Sequence, residues 1–396
     1  IEEVGIPKDI MNRVEEGGAS GVCMYTCAVR PEIAALSAYV PGMSIAEVRE
    51  RYGLSRVIKM ASNENPLGVS PLVRKVLATS LEEAFRYPQG GNPALREALA
   101  RAHHVSPERI VVGNGSDEII DMLIRMLAVP GKHSVVCFSL YPIQARICGV
   151  ETRRCPLSPD YSFDLDALFS LVDAGTRLVF VTTPDNPSGY CPPLTAMRRL
   201  AEQLERHFPR CLLVVDEAYM DFAGASCGDT SRFSLLASGD LPANVAILRT
   251  FSKSYGLAGL RLGYGVLPAE LAGFYWRARL PFSVNSLAEK AGLAVLRDSE
   301  FRRATLECIR SGRCRLTEGL RLLGCDVWPS EANFLMIRLP EGYDASSCFE
   351  HLLQCGIIIR PLSSYGMPDK LRISIGTKED NEAFLEALRS FLEKSF

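Results

Sequence analysis

From Arg109 onward the chain alternates short apolar runs with longer amphipathic stretches. The runs are RIVVGNG, SVVCF, RLVFVTT, CLLVVDEAY, NVAILRTFSK and LRLGYGVL, and each is apolar on consecutive rather than alternate positions. That pattern predicts strands buried on both faces. Between them, SDEIIDMLIRML and LTAMRRLAEQLERHF carry helical spacing. Strand–helix–strand repeats of this kind predict an α/β domain with a mostly parallel central sheet flanked by helices and right-handed crossovers.

After about Pro281 the texture changes. A long helical region from Asn285 to Leu323 is followed by ANFLMIRL, GIIIRPL, KLRISIG and a last amphipathic helix near Glu379 to Glu393. Strands close together with few crossovers predict a smaller α+β C-terminal domain. The expected division is an N-terminal extension over 1–28, a segment 29–62 associated with the small domain, a large domain over 63–284 and the small domain over 285–396. Two such domains leave a cleft, and clefts at the carboxyl ends of parallel strands are where ligands bind.

Charge and cysteine content narrow the classes. The formal net charge is -2, without the basic excess of a nucleic-acid binder. No apolar run approaches the ~20 residues of a membrane-spanning helix. The thirteen cysteines are an odd number, with no Cys-x-x-Cys, and Cys137, Cys148 and Cys211 lie inside apolar runs, as free buried thiols in a reducing cytoplasm would. No metal site is expected. The opening residues carry several acids and no long apolar core, so they read as an extension rather than a secretory signal.

Four loops that follow strands carry the chemistry. In TFSKSYGLAGLRLGY, Lys253 follows a strand end in a glycine-rich turn, where an amine held near a carbonyl forms a Schiff base. The hydroxyls of Thr250 and Ser252 and the guanidinium of Arg261 around it make a phosphate cradle. In VVDEAYMDF, Asp216 closes an apolar strand where a carboxylate is expensive. An N-cap or an ion pair would explain it, and so would a partner pyridine nitrogen held protonated as an electron sink; Tyr219 could reach the same ring. In VVGNGSDEII, Gly113 and Gly115 have dinucleotide spacing, but Glu118 stands at the third glycine, so a single phosphate on Gly115, Ser116 and Asp117 fits better. In TTPDNPSGY, two prolines and a glycine fix a rigid turn that holds Asn186 at a strand's end. Tyr141, in CFSLYPIQ, also follows a strand end and could stack on an aromatic ring.

Together these loops resemble the fold-type I pyridoxal-phosphate enzymes of the class I/II aminotransferase group, and within it the branch acting on histidinol phosphate. The resemblance covers about Val29 to Leu392 and rests on VRPEIAALSAYVPG, ASNENPLGVSP, YPQGGNPALREALA, GNGSDE, DNPSGY, VVDEAY, the lysine loop, SEANFLMIRL and GIIIRP…LRISIG. It implies pyridoxal 5′-phosphate as cofactor, Lys253 as its Schiff-base lysine and proton shuttle, and Asp216 on the pyridinium nitrogen. Tyr219 and Asn186 would meet the ring's phenolic oxygen and Tyr141 the ring face. Gly115, Ser116, Asp117, Thr250, Ser252 and Arg261 would hold the phosphate.

For substrates, the resemblance implies that Arg372, with Arg360, takes the phosphate of L-histidinol phosphate in one half-reaction and a glutamate carboxylate in the other. Tyr39 and Asn333 match further substrate-side positions. The implied reaction exchanges the amino group between L-histidinol phosphate and 2-oxoglutarate, giving imidazole-acetol phosphate and glutamate, in histidine biosynthesis. A cytoplasmic homodimer is implied, without nucleic-acid or membrane partners. The alternatives are an aromatic amino-acid aminotransferase, a threonine-phosphate decarboxylase of cobalamin synthesis, and a non-catalytic regulatory member of the fold; both Lys253 and Asp216, which a regulator could lose, are present. One departure is local: where the family commonly reads Asn-Pro-x-Asn-Pro-Thr-Gly, this chain has Thr183-Pro184-Asp185-Asn186-Pro187-Ser188-Gly189.

Overall fold

The computed structural model describes residues 29–36, 42–138, 141–224, 230–239 and 241–394. Thirteen strands are found among them: β1 (Ile58–Lys59), β2 (Ile110–Asn114), β3 (Ser134–Cys137), β4 (Glu151–Arg154), β5 (Thr176–Thr182), β6 (Leu212–Asp216), β7 (Val245–Thr250), β8 (Leu262–Val266), β9 (Asp326–Val327), β10 (Phe334–Arg338), β11 (Ile357–Ile358), β12 (Arg360–Pro361) and β13 (Lys370–Ser374). A seven-stranded sheet runs in the order β2-β8-β7-β6-β5-β3-β4. Its strands are parallel except β8, which is antiparallel to both β2 and β7.

The consecutive apolar positions have a direct structural cause. Val179, Val181, Leu213, Val215, Val245 and Ile247 enter the core on one face of this sheet. Their neighbours Leu178, Phe180, Leu212, Val214, Ala246 and Leu248 enter the core on the other. Alternate side chains point to opposite faces, so a sheet covered on both sides needs an apolar residue at every position. Two features escape the pattern. β4, ETRR, is charged and exposed at both its ends because it is an edge strand, paired among the described residues only with β3. The reversal of β8 is a matter of direction, which composition does not encode.

A second sheet, β12-β13-β10-β9, is antiparallel and forms the small domain with the helices Ala345–Gln354 and Lys378–Lys394. GIIIRP splits in two: β11 pairs in parallel with β1, and β12 joins the second sheet. The helix Ile45–Tyr52, closed by a capping box at Ser44 and Glu47, sets Val48 into a cluster with Ala61, Leu353 and Ile358. The short helix Pro31–Ala34 lies instead against Pro142–Ile147 of the large domain.

The long helical region after Asn285 is two helices. Ser286–Val295 buries Ala288, Ala291 and Val295 in the large-domain core. Ser299–Leu322, capped by Asp298, bridges the domains, with Phe301 in the large core and Ile309, Leu316 and Leu320 in the small one.

Candidate active site

The carboxyl ends of β2, β5, β6 and β7 and the amino end of the antiparallel β8 share one edge of the large sheet. Asn114, Thr182, Asp216 and Thr250 end those parallel strands, and Arg261 immediately precedes β8. The sequence therefore delivers its four loops to one place, facing the small domain.

Lys253 is half-buried, and its Nζ donates to the carbonyl of Ser62 at 3.1 Å while lying 5.6 Å from the centroid of the Tyr219 ring. The two carbonyls beside Ser62 are also in use. Ala61 O accepts from Arg372 Nη2 at 2.6 Å, and Asn63 O accepts from Asn333 Nδ2 at 3.0 Å. Met60 O takes the backbone N–H of Ser374 at 2.8 Å. Four consecutive carbonyls thus align the lysine with β13 and with Asn333 just before β10.

Asp216 is buried at the end of β6 and accepts hydrogen bonds from Tyr141 Oη at 3.1 Å and from the Ala218 N–H at 3.1 Å. Burial pushes its carboxyl up to about 6, against those two donors. None of the ion pairs found among the described residues reaches it. Tyr141 lies beside Asp216. Its ring stacks on Phe180, with centroids 4.4 Å apart and planes at 17°, and its hydroxyl also bonds Thr182 Oγ1 at 2.6 Å. Burial, then the Asp216 charge, raises the Tyr141 hydroxyl well above its ordinary value, so it remains protonated. The Tyr141 hydroxyl thereby links the ends of β5 and β6.

Gly115 (φ 79°) caps the helix Ser116–Leu127, whose first turn is Ser116 and Asp117. Its backbone is pressed against β8, where a Cβ on Gly263 would lie 2.3 Å from Ser116 N. Gly263 sits between Gly113 on β2 and Thr250 on β7. Arg261, itself at φ 52°, reaches over Gly115 and pairs with Asp117 at 3.3 Å. Thr250 Oγ1 accepts from the Ser252 N–H at 3.1 Å. First-turn N–H groups, hydroxyls and a guanidinium are donors of the kind that suit a phosphate.

Tyr219 Oη receives Asn63 Nδ2 at 3.2 Å and Asn186 Nδ2 at 3.4 Å. Asn186 follows the cis peptide Thr183–Pro184 by two residues and precedes a second cis bond to Pro187. Its Oδ1 accepts from Arg372 Nη1, which joins the DNPSG turn to the small domain. Arg372 is buried, its Nε has no partner, and Asn333 Oδ1 is likewise buried and unpartnered. Arg360 lies opposite Arg372 in register on β12, half-buried, with Nη1 near Gly42. Tyr39 lies outside the described residues.

A buried charged group stands behind the site. Arg249 pairs with Glu217 at 2.6 Å and with Asp221 at 3.2 Å, and Asp221 also accepts from Ser254 Oγ. Burial alone would raise the Asp221 carboxyl; Arg249 and Arg302 more than offset it and hold it below its usual range. The neighbours of Asp216 and Lys253 are thereby tied to one guanidinium.

These residues fit the cofactor that the sequence suggests. A buried carboxylate without a cation suits a pyridinium nitrogen, the nest on Gly115 suits a phosphate, and the unpartnered Arg372 Nε suits an anionic substrate group. Asn63, Gly263, Ser374 and the carbonyls of 60–62 were missed by sequence reasoning. Asn63 lies in the quoted ASNENPLG, but nothing in the spacing distinguishes it from its neighbours.

Residues 55–388 match the model of the family described as aminotransferase class I and II. The chain is 55% identical over 368 residues to a histidinol-phosphate aminotransferase of Nitratidesulfovibrio vulgaris strain Hildenborough, covering 92% of this chain and 96% of that protein. A protein of the same name from Oleidesulfovibrio alaskensis is 55% identical over 379 residues, covering 94% and 97%. Among solved structures, histidinol-phosphate aminotransferase from Sinorhizobium meliloti in complex with pyridoxal-5′-phosphate superposes with a TM-score of 0.80 at 25% identity, covering 92% of this chain and 98% of that one.

Proposed function

Because the chain belongs to the class I and II aminotransferases, we propose that it uses pyridoxal 5′-phosphate to exchange an amino group between L-histidinol phosphate and 2-oxoglutarate in histidine biosynthesis. The observation that carries the reading is the convergence of Lys253 Nζ and Arg372 on the carbonyls of Ser62 and Ala61, with Asp216 ending a strand at the same edge of the large sheet as the lysine loop. When bound, the cofactor supplies an electron sink for charge developing at the substrate α-carbon.

Each residue has a task in this reading. Lys253 Nζ would hold the cofactor and would move the proton at the substrate α-carbon. Asp216, with its carboxyl raised to about 6 by burial, takes a cationic N–H as partner and loses that penalty. The nest of Gly115, Ser116 and Asp117, with Thr250, Ser252 and Arg261, fixes the phosphate. Tyr219 and Asn186 face the phenolic oxygen. Arg372, with Arg360 and Asn333, orients the substrate's phosphate or carboxylate; a planar fork accepts either.

A homodimer in the cytoplasm belongs to the same proposal. What supports the dimer is an exposed apolar face of Phe85, Tyr87, Leu280 and Phe282, in which the Tyr87 and Phe282 rings stack at 5.0 Å. What supports a reducing compartment is that all ten cysteines among the described residues are free.

The test is spectroscopic. Purified protein loaded with cofactor should show a visible band that L-histidinol phosphate alone, without keto acid, converts rapidly to the amino form and phenylalanine converts slowly. Fast conversion by phenylalanine and none by L-histidinol phosphate would move the chain to aromatic substrates.

A further inference from the structure

Asn63 is buried and held at φ 56°, with every polar atom of its amide oriented by a neighbour. Its backbone N–H donates to Ser374 Oγ at 2.8 Å, so the Ser374 hydroxyl proton is free to donate to Asn63 Oδ1, also at 2.8 Å. With its amide oxygen on Ser374, Asn63 turns Nδ2 to Tyr219 Oη at 3.2 Å. Asn186 Nδ2 approaches the same oxygen at 3.4 Å. With two N–H donors on its lone pairs, the Tyr219 hydroxyl has one role left, to donate its own proton outward into the cleft.

We propose that Asn63 is a positioning residue that, locked by Ser374, forces Tyr219 to act as a hydrogen-bond donor to the cofactor's phenolic oxygen. The assignment rests on the cofactor reading above and deepens it. Ser374 is two residues from Arg372 on β13, so the orientation of Tyr219 depends on the seating of the small domain. Donation by Asn63 polarises the Tyr219 O–H and strengthens the bond it makes. A stronger donor stabilises an anionic oxygen, so the lysine–cofactor chromophore loses its proton at a lower pH.

The experiment is a pH titration of the visible band of the protein loaded with pyridoxal 5′-phosphate. It compares the wild type, Asn63→Gly, Tyr219→Phe and the double variant. Glycine keeps the left-handed backbone, and with it the carbonyls of 60–63, while deleting the amide. Asn63→Gly should move the midpoint up by on the order of half a pH unit, in the same direction as Tyr219→Phe. The double variant should titrate like Tyr219→Phe alone, because Asn63 acts only through that hydroxyl. An unshifted Asn63→Gly, or shifts that add, would overturn the assignment while leaving the cofactor reading intact. A wild type with no visible band would overturn both. Thermal melting reports whether Asn63→Gly folds; should it not, the isosteric Asn63→Asp replaces the donor by an acceptor and must also raise the midpoint.

Discussion

Gly263→Ala tests the phosphate nest without touching any side chain. A Cβ at this position would lie 2.3 Å from Ser116 N, 2.5 Å from Gly115 C and 3.0 Å from Gly115 O. Comfortable contact begins near ~3.5 Å, so strand and helix start must part by roughly 1 Å. Neither side yields easily: Gly263 is paired with both Gly113 and Thr250, and the opposing atoms are backbone. Overpacking of this kind costs ~1–3 kcal/mol. At ~2 kcal/mol the melting temperature falls by about 4–8 °C, using ~2–4 °C per kcal/mol for domains of this size. Because the atoms displaced belong to the proposed phosphate nest, cofactor affinity should drop roughly tenfold or more, for ~1.4 kcal/mol lost per decade. Gly259→Ala is the control, since an added Cβ meets nothing within 4 Å there. Calorimetry and absorbance titration with pyridoxal 5′-phosphate would report both quantities. If Gly263→Ala behaves like Gly259→Ala in both, the close packing of nest and strand is not what shapes the site.

Lys253→Ala should abolish transamination while cofactor still binds without covalent linkage; retained turnover measured by glutamate formation would remove Lys253 from its role. Arg372→Ala deletes donors to both Asn186 Oδ1 and Ala61 O, and should raise KM for L-histidinol phosphate and for glutamate alike. A rise for only one substrate in single half-reactions would mean separate anion sites. Asp185 is buried with Oδ1 unpartnered, and burial pushes its carboxyl up to about 6. Its folded value exceeds the unfolded one, so the native state binds the extra proton and stability falls as pH rises from ~4 to ~6, by roughly 3 kcal/mol at most. Asp185→Asn should flatten that slope in urea unfolding at several pH values; an unchanged slope would assign it to other groups.

The large sheet was legible because it is covered on both faces, which turns burial into uninterrupted apolar runs. β4 was not, since its charged residues meet solvent at the edge. Lys253 and Asp216 were legible for the opposite reason: a charge at the end of an apolar strand is costly unless something uses it. Asn63 and Ser374 are 311 positions apart, and a hydrogen bond at that separation leaves no local periodicity. The backbone carbonyls of Ala61 and Ser62 carry no residue identity at all. Tyr141 was singled out from its place after a strand, which gives its position but not the rotamer that sends its hydroxyl to Asp216.

The strand order bears on how the protein is made. β2 is an outer strand whose sole sheet partner among the described residues is β8, and β8 leaves the ribosome about 150 residues later. At ~5–20 residues per second that is a wait of roughly 7–30 s. Throughout it, Ile110, Val111 and Val112, all buried at completion, have no sheet to join. The parallel strands β3, β5, β6 and β7 can pair among themselves as they emerge, and β8 then seals β2 against them. The nascent chain therefore has a defined interval of exposure, between synthesis of Asn114 and of Val266, in which a holding chaperone has most to bind. Slower elongation across that interval lengthens the exposure and favours aggregation of unfinished chains, whereas slower elongation after it does not.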